Sequence, residues 1–236
     1  MADDARPVIA GIPLRWREFE APGRGAGTAA GAAPAFGVWV PDCDLDALLA
    51  PLTQEEFARS DERMPYFGAI WPAAEALVAR LLAGPSLEGT HALDLGCGLG
   101  ACGFAAARQG ARVTFFDWEP RALEIVAASA RAQAAPADQF VFVVGDWREP
   151  PPCGPFDLIL GADVLYEARN GPAVAAFLAR HLAPGGEGWL ADPGRPHAHT
   201  FPALAAQEGL AIVGREPLTL QATGAGVTLL RLSRAG

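Results

Sequence analysis

Four carboxylates recur where an apolar run gives way to a turn: Asp94 in Leu93-Asp94-Leu95, Asp117 after Phe115-Phe116, Asp146 in Gly145-Asp146-Trp147, and Asp163 after Gly161-Ala162. The first leads into Gly96-Cys97-Gly98-Leu99-Gly100. Glycines so spaced let the backbone turn tightly and come close to a ligand. Alone, the pattern suits a dinucleotide or an adenosyl ligand. A dinucleotide fingerprint needs GxGxxG, with a third small position for helix–strand packing and the pyrophosphate at the helix N-terminus. Here the spacing is GxGxG, and Asp94 precedes it as a charge that repels pyrophosphate but orients an ammonium group. Asp117 can accept hydrogen bonds from ribose hydroxyls. Asp146 offers an acceptor to an exocyclic amine, and Trp147 offers a face to a purine.

One strand-terminal Asp is as often a turn or helix cap as a ligand contact. Four in series behind a glycine turn describe a ligand with hydroxyls, an amine and positive charge, and no phosphate. S-adenosylmethionine carries those groups; NAD does not.

These residues need elements to hold them on one edge. From Ala73 onward the hydrophobic pattern alternates helix and strand. The expected helices are 73–83, 101–109, 120–133, 171–181 and 201–208. The expected strands are 91–95, 112–116, 140–144, 157–161, 188–191, 211–215 and 226–231. Such alternation predicts an α/β fold, a doubly wound, seven-stranded, mostly parallel sheet. Ahead of it, Ile9 to Glu20 and Phe36 to Pro41 read as a hairpin. Its Gly/Ala/Pro tip, Ala21 to Ala35, has too few large side chains to pack. Helical pieces are expected at Leu45–Leu52 and Gln54–Asp61. The division expected is an extension over 1–62 and a ligand-binding domain over 63–236.

The chain has 236 residues and a net charge of -9, ample for a sizeable core. All 18 basic residues are arginine; there is no lysine. A pI near 4.9 argues against a nucleic-acid binder, whose phosphate contacts need a basic face. The start, Met1-Ala2-Asp3-Asp4, is acidic where a secretory signal is basic, and no apolar run has membrane-spanning length. Cys43, Cys97, Cys102 and Cys153 form no CxxC pair and no metal spacing. The expectation is a cytoplasmic protein with reduced thiols, no metal and no membrane partner.

The glycine turn and the order of carboxylates resemble the class I S-adenosylmethionine-dependent methyltransferases. Three further segments resemble methyltransferase family 16, a seven-β-strand group with many protein-lysine methyltransferases. They are Pro65-Tyr66-Phe67-Gly68-Ala69-Ile70-Trp71-Pro72-Ala73-Ala74, Asp163-Val164-Leu165-Tyr166, and Asp192-Pro193-Gly194-Arg195-Pro196. The likeness extends over about residues 8 to 234. It implies that Trp71 flanks the cofactor and that Gly96, Gly98 and Gly100 lie against its amino-acid portion and ribose. It also implies that Asp117 holds the ribose, that Asp146 and Trp147 meet the adenine, and that the Ala162 backbone approaches near the methionine end. Asp163 and Tyr166 are then the catalytic pair at the acceptor mouth. The activity implied is N-methylation of a lysine in a protein substrate, with a small-molecule amine acceptor or a non-catalytic cofactor-binding regulator as alternatives. Base methyltransferases commonly carry Asn/Asp-Pro-Pro-Tyr after the fourth strand, and Asp163-Val164-Leu165-Tyr166 stands there instead.

Overall fold

A computed structural model describes residues 7–20, 35–49, 65–136, 138–220 and 223–235. The expected loose tip over 21–34, the expected helix Gln54–Asp61, the end of the expected helix Leu45–Leu52 and the acidic start lie outside the described residues.

The main sheet has seven strands: β4 (His91–Leu95), β5 (Arg112–Asp117), β6 (Phe140–Val144), β7 (Phe156–Ala162), β8 (Leu182–Asp192), β9 (Leu210–Thr219) and β10 (Gly226–Arg234). Their order is β6-β5-β4-β7-β8-β10-β9. The first five of that row run parallel, and β10 is antiparallel to both its neighbours. The inner strands are near-continuous apolar runs because helices cover both faces. Leu93 and Leu95 of β4 pack in one core cluster, and Ala92 packs in the other.

Helices α2 (Pro72–Leu82), α3 (Ala101–Arg108) and α4 (Pro120–Ala132) pack on one face, and α5 (Asn170–His181) and α6 (Phe201–Gln207) on the other. Prolines at the first helical position start α2 and α4, where no intrahelical N–H is lost. The strand order reverses between β4 and β7. In open α/β sheets a crevice forms beyond the strand ends at such a point.

The N-terminal strands β1 (Val8–Ile9), β2 (Ile12–Phe19) and β3 (Phe36–Pro41) form a separate antiparallel sheet, followed by the short helix α1 (Leu45–Leu49). A turn at Ala10-Gly11 splits the single strand expected from Ile9. This sheet adds Ile12, Leu14, Phe36, Val38 and Val40 to the core formed by α2, α3 and α4. The Trp39 N–H donates to Ser129 Oγ (2.9 Å), and Arg17 pairs with Glu75.

Five strands outrun their expected ends, β5 and β7 by single residues and three others by more. Strand β8 begins at Leu182, not Gly188, because a register shift opposite Phe156 and Leu158 absorbs Ala183 to Gly186. Edge strand β9 continues to Thr219 through Pro217, which an edge tolerates because one side of the strand needs no ladder donor. Strand β10 extends to Arg234 along the same pairing. No described helix is long and apolar enough to cross a membrane.

Candidate active site

A cavity of about 260 Å³ opens beyond the C-terminal ends of β4, β5 and β7. Its floor is the glycine turn. Gly96, Gly98 and Gly100 take φ of 62°, 51° and 78°, the left-handed region that favours glycine. The Cys97 N–H donates to the Phe116 carbonyl (3.0 Å), which ties the turn to β5. A Cβ at Gly96 would lie 2.9 Å from the Trp147 ring, so that indole packs over the turn.

Two buried carboxylates face the cavity. Asp94 Oδ2 accepts the Gly103 N–H of α3 (2.8 Å), and burial pushes its pKa up to about 7. Asp117 Oδ2 accepts the Gly98 N–H (2.8 Å) and Oδ1 the Glu119 N–H (2.9 Å). Burial raises its pKa to about 6. In both, loss of water outweighs the backbone donors. Each carboxylate keeps lone pairs beyond those the backbone uses.

The mouth is aromatic. A 3₁₀ turn, Tyr66–Gly68, precedes α2, and the Trp71 Nε1–H donates to the Tyr66 carbonyl (2.8 Å). The Tyr66 ring packs edge-on against Trp71 (5.9 Å) and Tyr166 (5.3 Å). Burial, with the Glu167 charge adding to it and the Asn170 side chain opposing it, pushes the Tyr166 hydroxyl to about 12. Asp163 follows β7 with a φ of 58° and is buried. Its N–H donates to the Ala191 carbonyl of β8 (2.9 Å). Both its oxygens accept from Arg195: Nε to Oδ1 and Nη2 to Oδ2, each 2.7 Å. The guanidinium also lies over the Trp71 ring, 5.9 Å from its centroid.

Trp71, Asp94, Gly96, Gly98, Asp117, Trp147, Ala162, Asp163 and Tyr166 therefore share one cavity wall. Two expected residues sit elsewhere. Gly100 is the N-cap of α3 behind the turn, where a Cβ would meet the Phe115 ring at 3.0 Å and Val126 at 3.1 Å. Asp146 borders an adjoining pocket of about 40 Å³ with Trp118, Trp147 and Asn170. Arg148 binds the Asp146 carboxylate and holds its pKa below the usual range. The buried Asn170 side chain borders this pocket beside Tyr166.

The Asp163 carboxylate is engaged on both oxygens by Arg195. Arg169, the cation beside the Asp-x-x-Tyr element in sequence, pairs with Glu167 instead (2.6 Å). His199 bonds the Pro196 carbonyl at the surface. Sequence reasoning left Trp118 and Arg195 unassigned, though both line the cavity. Trp118 had a signal, an aromatic directly after a strand-terminal carboxylate. Arg195 lies in the Asp192–Pro196 segment that carries part of the resemblance, but its pairing with Asp163 depends on the return of the loop after β8. That loop is held by Asp192 Oδ1, which accepts the N–H groups of Gly194 (2.7 Å) and Arg195 (2.8 Å).

A family model described as a methyltransferase domain matches residues 92–186. Over 130 residues the chain is 36% identical to a protein N-lysine methyltransferase of Danio rerio, covering 52% of this chain and 59% of that one. Over 145 residues it is 34% identical to an electron transfer flavoprotein beta subunit lysine methyltransferase of Xenopus laevis, covering 59% and 57%. The chain thus spans under two thirds of the length of these relatives. Its fold matches the crystal structure of the magnesium protoporphyrin IX methyltransferase of Synechocystis, with a TM-score of 0.58 at 19% identity, over 80% of this chain and 93% of that one.

Proposed function

We propose that the chain transfers a methyl group from S-adenosylmethionine to the amine of a lysine in a protein, a reading supported by the match of residues 92–186 to a methyltransferase domain. The observation that carries this reading is the pair of buried carboxylates, Asp94 and Asp117, whose ionisation burial opposes. A ligand with positive charge supplies the partner they lack, whereas a phosphate would meet two acids at the turn. The cavity residues fit that ligand. Asp94 is suited to its ammonium and Asp117 to its ribose hydroxyls. Trp118, Trp147, Asp146 and Asn170 border the pocket suited to the purine. When bound, the cofactor supplies an electrophilic methyl group on a sulfonium.

The protein's share is placement and dehydration. Holding two reactants in attack geometry can supply roughly 7–11 kcal/mol of a barrier. A lysine amine, with a reference pKa near 10.4, pays about 4.6 kcal/mol to be neutral at pH 7. The rings of Tyr66, Trp71 and Tyr166 exclude water around the acceptor, which favours its neutral form. Tyr166, protonated at neutral pH, orients the amine through its hydroxyl and leaves the proton to water. Asp163 binds the ammonium before that proton departs.

The test is transfer of label from methyl-labelled cofactor into a lysate of cells lacking this protein. Methyl-lysine in a protein band is the expected outcome. Label confined to small molecules would overturn the protein acceptor and point to a small-molecule amine.

A further inference from the structure

Resting on that reading, we propose that Arg195 is the specificity-determining residue of the acceptor site: its guanidinium occupies the place of the acceptor ammonium, which enters by replacing it between Asp163 and Trp71. A buried carboxylate facing a tryptophan face is the pair that recognises a cation. Here both oxygens of Asp163 and the Trp71 ring are already engaged by one side chain. Asp163 holds a left-handed φ of 58° to present that carboxylate, a conformation that surrounding structure must enforce in a non-glycine residue.

The two halves of Arg195 are held differently. Its backbone N–H is fixed to Asp192 Oδ1. Its side chain is 36% exposed, against 4% for Asp163, so it can swing into water while the loop stays in place. An arriving ammonium exchanges one cation for another on the same carboxylate, and no buried charge is left unpaired. Removing a partner without replacement is the costly event. A hydroxyl or amide acceptor offers Asp163 no charge and cannot displace the guanidinium. Arg195 thereby selects amine acceptors by requiring them to outcompete it.

The experiment is calorimetric titration of the full chain with n-butylammonium, a lysine side-chain probe, in the presence of S-adenosylhomocysteine. Arg195→Ala is expected to bind the probe at least about tenfold more tightly than the unaltered protein. Ethylguanidinium is expected to compete for the vacated site in that variant. Adding Asp163→Asn should abolish the gain. Arg195→Gln, which keeps an N–H donor without the charge, should shift affinity in the same direction. Probe binding by both variants that is equal to or weaker than that of the unaltered protein overturns the proposal, with S-adenosylhomocysteine binding showing that they are folded. Failure of the unaltered protein to bind S-adenosylhomocysteine would instead overturn the cofactor reading, and the probe titrations would still report on Arg195.

Discussion

At the scale of single residues, Asp94 and Asp117 hold their protons more tightly than in the unfolded chain, with pKa values raised to about 7 and about 6. A raised acid pKa contributes stability that is full below the unfolded value, near 4, and is lost as pH rises through the folded value. The ligand-free protein should therefore lose this contribution between about pH 4 and pH 7. Asp94→Asn should flatten that slope relative to the unaltered protein when thermal unfolding is followed across the range. Steeper pH dependence in the variant would contradict the assignment. A cationic ligand needs the ionised acid, so S-adenosylhomocysteine, which keeps the ammonium, should bind more tightly as pH rises through about 7. Asp117→Asn should weaken its binding about tenfold or more by isothermal calorimetry, the scale of a hydrogen bond to a charged group.

At the scale of elements, the turn between β4 and α3 works because small residues stack behind it. A Cβ at Gly103 would fall 2.3 Å from the Phe115 ring, and the same residue's N–H holds Asp94. Gly103→Ala should destabilise the fold by about 1–3 kcal/mol in denaturant unfolding, the usual cost of overpacking, and weaken cofactor binding with it. Elements set by local signals were legible in the sequence. Strands β3, β4 and β6 have their expected ends, and the glycine turn sits where GxGxG placed it. What escaped was set by pairing across distance. The extensions of β8 and β9 follow partners in the sheet, and a Gly-Gly or a Pro in each reads locally as a stop. The site divides the same way. The carboxylates at the strand ends announced themselves by position, but the Arg195 clamp on Asp163 joins loops 32 residues apart, and no spacing rule reaches that far.

At the scale of the whole molecule, the N-terminal sheet is fastened to the helices on one face of the main sheet. Trp39 is fastened to Ser129 of α4, and the fully buried Ser129 Oγ also donates to the Ile125 carbonyl (3.1 Å). Ser129→Ala strands the Trp39 N–H and should cost about 1–3 kcal/mol in urea unfolding. The net charge of -9 has a local component, since Asp94, Asp117, Asp146 and Asp163 stand at or just past the C-terminal ends of neighbouring strands. Three of the six tryptophans, Trp71, Trp118 and Trp147, line the same cavity. The molecule thereby carries its own optical gauge. A purine or a cation settling among those indoles changes their emission, while Trp16, Trp39 and Trp189 provide a steady background, so occupancy can be read from unlabelled protein by fluorescence alone.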